Sequence, residues 1–390
     1  MKFKKITDLE LKNKVVFVRT DMNVPIQDGA ITDNTRIVAG MKTIKHALNQ
    51  GAKVIVATHL GRPNEGACSS NDSVKLVSEY LSKQINQEIA LINNLNDKIN
   101  FDKSSIVMLE NVRCNVGEKQ NDIQLGKKYA NLCDVFVHDA FATAHRREAS
   151  TDAIGEYAPE VCAGLLMSSE LQALSKALAT PQKPIVAIVA GSKVSTKLSI
   201  LNNLAEKVDY LIVGGGILNT FLLAKGINTG KSLVEAELVD QAKSIMQNME
   251  ARGAKVPLPH DVVTAKCFTP DAAATQKSVA EIEKDDMILD IGQNFAKQLT
   301  EIIEKAGTII WNGPVGVFEF DQFANGTKIL AHSIANSKAF SLAGGGDTIA
   351  AINKFQLMDK ISYVSTAGGA LLEFLEGKPL PAVTLLERRA

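Results

Sequence analysis

The residues best suited to chemistry form the tetrad Gly345-Gly346-Asp347-Thr348, which follows the apolar run 338–342. The pattern predicts a strand, a turn made of backbone alone, then an acid and a hydroxyl opening a helix. Such a turn can hold phosphate, because amides free of side chains approach the anion and the helix start adds partial positive charge. Asp347 would then stand where a phosphate-bound Mg²⁺ needs a carboxylate. A tight turn capped by an aspartate reads the same way, so the tetrad gains its meaning from the segments around it.

Those segments repeat the theme through the second half of the chain. They are Gly191-Ser192-Lys193, running on to Lys197, then Gly214-Gly215-Gly216, Asp290-Ile291-Gly292, Trp311-Asn312-Gly313 with Glu319 beyond, and Gly368-Gly369-Ala370. Glycine turns of this kind let backbone approach a flat base and a chain of phosphates. Lys193 and Lys197, four apart at an expected helix start, would share one face and neutralise phosphate together. Two near-motifs carry less weight. Gly226-Ile227-Asn228-Thr229-Gly230-Lys231-Ser232 has three residues between its glycines where a P-loop needs four, and no strand precedes it. Gly214-Gly215-Gly216 has Asn219 where a dinucleotide fingerprint needs its third glycine, and Glu235 in the place of the ribose acid is weak support.

The first half supplies side chains instead. Asp21 and Asn23, His59 and Arg62, Arg113, then His145 and Arg146 each follow a short apolar run, and Arg36 opens the helical pattern after the first of them. Any one surface arginine is unremarkable. Four separate strand ends aiming guanidinium or imidazole groups at one rim describe a site for a small polyanion, each charge-assisted bond contributing roughly 1.5–3 kcal/mol.

Elements that can position these residues are legible in the short, nearly continuous apolar runs 14–18, 53–57, 106–109, 135–137, 185–189, 210–213, 287–289, 308–310, 340–342 and 361–364, with helical patterns between them. That alternation predicts an α/β protein of two doubly wound, parallel-sheet (Rossmann-like) domains joined by a helical hinge. The expected boundaries are 1–176, a linker at 177–183 that contains Pro181 and runs up to Pro184, and 184–374. In open α/β sheets ligands bind beyond the carboxyl ends of strands, where all the residues above fall.

Composition is that of an ordinary globular chain. Of 390 residues 45% are hydrophobic and 22% charged, and the 43 basic residues balance the 43 acidic ones, so no nucleic-acid or membrane partner is expected. The N-terminus is basic without an apolar stretch behind it, and no run approaches the roughly 18 apolar residues of a membrane span, so a cytoplasmic location is expected. The five cysteines are odd in number and widely spaced, which reads as reduced thiols with neither a disulfide nor a zinc site.

The ordered set Arg19-x-Asp21-x-Asn23-Val24-Pro25, His59-Leu60-Gly61-Arg62-Pro63, Thr143-Ala144-His145-Arg146, Trp311-Asn312-Gly313-Pro314-Val315-Gly316 and Gly344-Gly345-Gly346-Asp347-Thr348 resembles phosphoglycerate kinase across almost the whole chain. The resemblance implies a monomeric glycolytic enzyme that moves phosphate between 1,3-bisphosphoglycerate and ADP after domain closure. By it, Asp21, Asn23, Arg36, His59, Arg62, Arg113 and Arg146 hold the glycerate ligand. Gly191, Lys197, Gly215, Gly292, Asn312, Glu319 and Gly345 to Thr348 hold the Mg-nucleotide, with Asp347 reaching the metal. Arg36, Lys193, Lys197, Gly368 and Gly369 surround the transferring phosphoryl group, and the tail 375–390 packs back on the first domain. The sequence departs from the family pattern at Ala142, Ala190, Ala367, Cys114 and Arg147-Glu148, none of which removes a ligand.

Overall fold

The computed structural model describes residues 2–390, and the chain divides into two units, Met1–Gln172 with Pro379–Ala390, and Ala173–Lys378. The first is built on six strands, β1 (Val15–Thr20), β2 (Lys53–Ala57), β3 (Ala90–Ile92), β4 (Ile106–Leu109), β5 (Val135–Asp139) and β6 (Glu160–Ala163), in the order β3-β4-β2-β1-β5-β6. All five pairings are parallel. Val16 and Val18 on β1, Val54 and Val56 on β2 and Phe136 on β5 are fully buried, as strands with helices on both faces require. Each such side chain contributes about 1.5–3 kcal/mol. The strand order reverses between β1 and β5, so a crevice opens at the carboxyl ends of the central strands.

Helix Pro381–Arg388 belongs to this unit. Its Ala382 N donates to Ala144 O at 3.1 Å, Arg388 pairs with Glu156, and Arg389 Nη2 donates to Ala158 O at 2.7 Å. Helix Leu165–Leu174 runs on through a π turn, Ser175–Ala179, and the division between units falls within it, after Gln172.

The second unit has five parallel strands, β7 (Ile185–Ala190), β8 (Tyr210–Gly214), β12 (Thr308–Asn312), β13 (Phe340–Gly344) and β14 (Tyr363–Ser365), in the order β8-β7-β12-β13-β14. Between β8 and β12 the chain makes a separate antiparallel sheet of β9 (Asp261–Ala265), β10 (Thr275–Ser278) and β11 (Met287–Ile291). This corrects the expectation that 287–289 belongs to the parallel set. The connection 266–274 is too short for the crossover that parallel neighbours need, so β10 returns antiparallel to β9, and β11 takes the other edge of β9 antiparallel as well.

The cysteines bring a second correction. Cys68 and Cys114 form a disulfide with their Cα atoms 5.6 Å apart, while Cys133, Cys162 and Cys267 are free. Wide spacing in sequence hid the pair, because the loop after β2 folds onto the turn after β4, where Gly66 N donates to Cys114 O at 2.9 Å. No helix among the described residues is long and apolar enough to cross a membrane.

Three thiols are therefore expected to titrate in unfolded, unreduced protein and five after reduction. With the linked positions 46 apart in sequence, reduction or Cys68→Ser should cost about 2–4 kcal/mol in urea unfolding.

Candidate active site

At the carboxyl edge of the first sheet, β1 delivers Asp21 and Asn23. Asp21 Oδ2 accepts from Arg36 Nη1 at 2.8 Å and its Oδ1 from Asn23 N at 3.1 Å. Asn23 Oδ1 in turn accepts from Gly61 N at 2.9 Å, so the loop that carries Arg62 is registered against the end of β1. Arg36 reaches the cluster as the second residue of helix Thr35–Asn49. Arg113 follows β4 and is almost wholly buried, donating to Gly61 O at 2.9 Å and to Glu148 Oε1 at 3.1 Å. Arg146 lies 3.8 Å from the same Glu148 oxygen. Arg62 is exposed and has no ion-pair partner among the described residues. Five of the seven predicted ligands are thus joined through shared partners, and Arg62 stands on the same loop as Gly61.

His59 is buried behind this rim. Burial, then the Arg19, Arg113, Arg146 and Arg36 guanidinium groups, hold its pKa far below the ordinary imidazole value, so the ring is neutral. Its Nδ1 faces Arg19 Nη2 at 3.4 Å and can only accept from it, which leaves the proton on Nε2 as a donor. Arg19 itself is fully buried, donating from Nε to Ser150 Oγ at 2.9 Å and from Nη1 to Thr20 O at 2.6 Å. Ser150 Oγ donates on to Glu118 Oε1 at 2.5 Å, and burial pushes the Glu118 carboxyl up to about 7. Glu118, Glu148 and Ser150 were not foreseen, since nothing in their spacing shows that they back the arginines.

The second unit carries a cavity of about 720 Å³ beyond the ends of β7, β8 and β12. Gly191, Gly215, Glu319 and Asp347 line it. Lys197 is half-buried and its Nζ donates to Asn312 Oδ1. Burial lowers the Lys197 pKa, with Asp347 and Glu376 acting against the shift. Asn312 Nδ2 donates to Gly344 O at 2.7 Å, and Gly313 N donates to Thr348 Oγ1 at 2.8 Å. The turn after β12 is thereby pinned to the tetrad. Gly345 has φ +100°, and a Cβ there would meet Asn312 Nδ2 at 2.8 Å, so only glycine fits. Gly346 and Asp347 are exposed in the first turn of helix Gly346–Lys354, with amides and carboxylate open to a ligand. Gly368 and Gly369 open helix Gly368–Leu375 and are exposed in the same way. Ala367 has φ −99°, so its departure from glycine introduces no strain.

Two expectations fail locally. Lys193 and Lys197 do not share a helix face, because helix Leu198–Ala205 begins only after them and both lie in the preceding turn. Hydroxyls hold that turn: Thr196 Oγ1 donates to Lys193 O at 2.8 Å, and Ser195 N and Oγ donate to Glu235 at 2.9 and 2.6 Å. Glu235 is thus a loop anchor. Gly292 is buried, is not part of the cavity lining and donates from N to Asp261 O at 2.9 Å, where a Cβ would run into the Asp261 carboxylate. The residues that sequence reasoning missed form the apolar wall. Leu233, Met287, Val317 and the ring pair Phe268–Phe320, centroids 5.3 Å apart, face the cavity, as do Lys231 and Ser232 of the discarded P-loop look-alike.

Fold and site together define a protein of two α/β units, with an arginine cluster at the sheet edge of one and a glycine-lined, apolar-walled cavity at that of the other. The phosphoglycerate kinase family profile matches residues 6–378, and the chain belongs to that family. It is similar to the structure of phosphoglycerate kinase from Coxiella burnetii, at 48% identity over 100% of both chains with a TM-score of 0.98. The phosphoglycerate kinase of Pyrococcus horikoshii OT3 matches at 31% identity over 99% of both chains, with a TM-score of 0.80.

Beneath the cavity floor, Asp290 is fully buried, accepting from Gly326 N at 2.7 Å and Ile291 N at 2.9 Å, and burial pushes its carboxyl up to about 8. The folded state holds this proton more tightly than the unfolded state. Its stabilisation is complete below the ordinary carboxyl range and is lost as pH rises through about 8. Thermal melts of the wild type should fall as pH rises from about 4 to about 8 and level off above it, and Asp290→Asn should lessen that decline.

Proposed function

We propose that the protein catalyses the reversible transfer of the acyl phosphate of 1,3-bisphosphoglycerate to MgADP, giving 3-phosphoglycerate and MgATP. The observation that carries this reading is the gathering of Arg36, Arg113 and Arg146 around a neutral His59, their ion pairs among the described residues being with two carboxylates, Asp21 and Glu148. A ligand bearing a carboxylate and a phosphate answers such a cluster in charge and number. Guanidinium forks suit both groups, and His59 Nε2–H serves as an uncharged donor.

The nucleotide would lie in the cavity of the second unit, its base against the apolar wall, its ribose by Glu319 and its phosphates toward Gly345 to Thr348 and Lys197. Mg²⁺ fits here. Asp347 is exposed, with no ion pair among the described residues, and one carboxylate with nucleotide phosphates is an ordinary magnesium donor set. Bound there, the ion would supply charge neutralisation on the phosphates. Phosphoryl transfer depends on positioning and charge more than on proton transfer. Lys197, Arg36, Lys193 and the amides of Gly368 and Gly369 would neutralise the moving group, and closure would bring the ligands into line and exclude water that hydrolyses an acyl phosphate. The reading includes a monomer acting in the cytoplasm on small molecules, in glycolysis or its reverse.

The test is ATP- and Mg²⁺-dependent phosphorylation of 3-phosphoglycerate with hydroxylamine trapping. Hydroxamate should form with the wild type, whereas ATP binding without product would leave a nucleotide-binding relative of lost or changed chemistry. Lys197→Ala and Arg36→Ala should each lower kcat by about 10²–10³ with smaller changes in KM. His59→Ala should chiefly raise KM for 3-phosphoglycerate, and a fall in kcat with KM unchanged would contradict its role as a binding donor.

A further inference from the structure

The Cys68–Cys114 disulfide joins two segments that carry the arginine rim. Cys114 is the residue after Arg113, and both belong to the turn Val112–Cys114. Cys68 lies on the loop that follows β2 and carries His59 and Arg62. Arg113 Nη1 donates to Gly61 O on that same loop at 2.9 Å. The loop is tied again at Glu65, which accepts from Gly117 N and Lys119 N at 3.1 and 2.7 Å, and at Asp72, whose carbonyl accepts from Asn111 Nδ2 at 2.8 Å. Between these ties, the hydrogen bonds described for 67–71 stay within the loop, so the disulfide is what holds this stretch to the turn after β4.

The bond is also open to attack. Cys68 is exposed and Cys114 partly so, and both line a cleft of about 950 Å³ in the first unit. Cys133 and Cys162 are buried and Cys267 belongs to the second unit, so the first unit has no other exposed cysteine. Resting on the phosphoglycerate reading above, we propose that Cys68–Cys114 is a reversible thiol–disulfide exchange site for a dithiol reductant, and that its redox state sets how tightly the arginine rim holds its anion. A thiolate of the dithiol attacks Cys68 Sγ, the S–S bond breaks, and Cys114 leaves as a thiolate that takes up a proton. The reductant's second thiol then displaces Cys68 from the mixed disulfide. The pair gains two electrons and two protons in all, and the dithiol becomes a disulfide; a small-molecule disulfide oxidant reverses the exchange. With the bridge open, ligand binding must order this loop, which lowers affinity while every ligand group remains in place.

Equilibrium binding of 3-phosphoglycerate and of MgATP to the full chain tests this, first after oxidation by glutathione disulfide and then after treatment with dithiothreitol. Without denaturant, dithiothreitol should release the two thiols of Cys68 and Cys114. 3-Phosphoglycerate should then bind about three- to tenfold more weakly, while MgATP binds as before. Cys68→Ser should bind 3-phosphoglycerate as the reduced wild type does and ignore the dithiol, with Cys114→Ser as the second variant should the first fail to fold. Cys267→Ser should respond as the wild type does. A bridge that never forms or opens only in denaturant, equal affinity in both states, an equal loss of MgATP affinity, or a response that persists in both serine variants overturns the inference and leaves the phosphoglycerate site standing. Failure of 3-phosphoglycerate to bind in either state overturns the phosphoglycerate reading and this inference with it.

Discussion

A guanidinium group with no access to water is among the most expensive groups a fold can bury, and Arg19 is such a group at the end of β1. Its cost is offset by three partners: the neighbouring Thr20 O and, from distant parts of the sequence, Ser150 Oγ and His59 Nδ1. Each is thereby fixed relative to β1. The serine links on to Glu118, which also accepts from Tyr129 at 3.3 Å, and Tyr129 packs its ring on Phe17 at 5.7 Å. Burial first, and then the same charge that organises this core, lower the proton affinity of His59, and the Arg19 contact at Nδ1 leaves the ring proton on Nε2. Most of the first unit's site follows from accommodating one arginine.

The arginines in front of it are held by fewer charges than they carry. Glu148 serves both Arg113 and Arg146, and Asp21 serves Arg36. A carboxylate shared between two guanidinium groups relieves their repulsion and keeps their orientation while leaving net positive charge for an anion. Removing a buried partner of this kind exposes an uncompensated charge. Glu148 therefore sets the geometry of the rim while the rim keeps its charge. The second unit solves its problem with backbone, since Asn312 ties Lys197 to Gly344 and Thr348 ties Gly313 to the tetrad. Little side-chain charge is committed there, and glycines open the helices Gly346–Lys354 and Gly368–Leu375.

Strands such as Val15–Thr20 and Ile185–Ala190 were legible because both faces are covered, which makes the run continuously apolar. Thr275–Ser278 was not, because it is an edge strand with polar, mostly exposed residues. Met287–Ile291 was legible as a strand but not in direction, which depends on connection length and not on its own residues. The arginine rim could be read from residue type at strand ends. Its buried support could not, since Glu118 and Ser150 are 32 residues apart and meet only in the folded state. Gly292 shows the opposite failure: it follows a strand and looks like a ligand turn, yet its lack of a side chain serves close packing on Asp261.

By itself the sequence determined which groups are available and roughly where along each strand they emerge. Apolar periodicity follows from burial on two faces, and glycine, aspartate and arginine at strand ends are the residue types suited to anion binding. The tertiary structure alone decided which of these groups meet. It paired Cys68 with Cys114, put Lys193 and Lys197 in a turn held by hydroxyls, and raised the aromatic wall of the cavity from residues distant in the chain. The physical reason is that loop packing and the satisfaction of buried polar atoms are decided between segments far apart in sequence, where residue type and spacing carry no record of the contact.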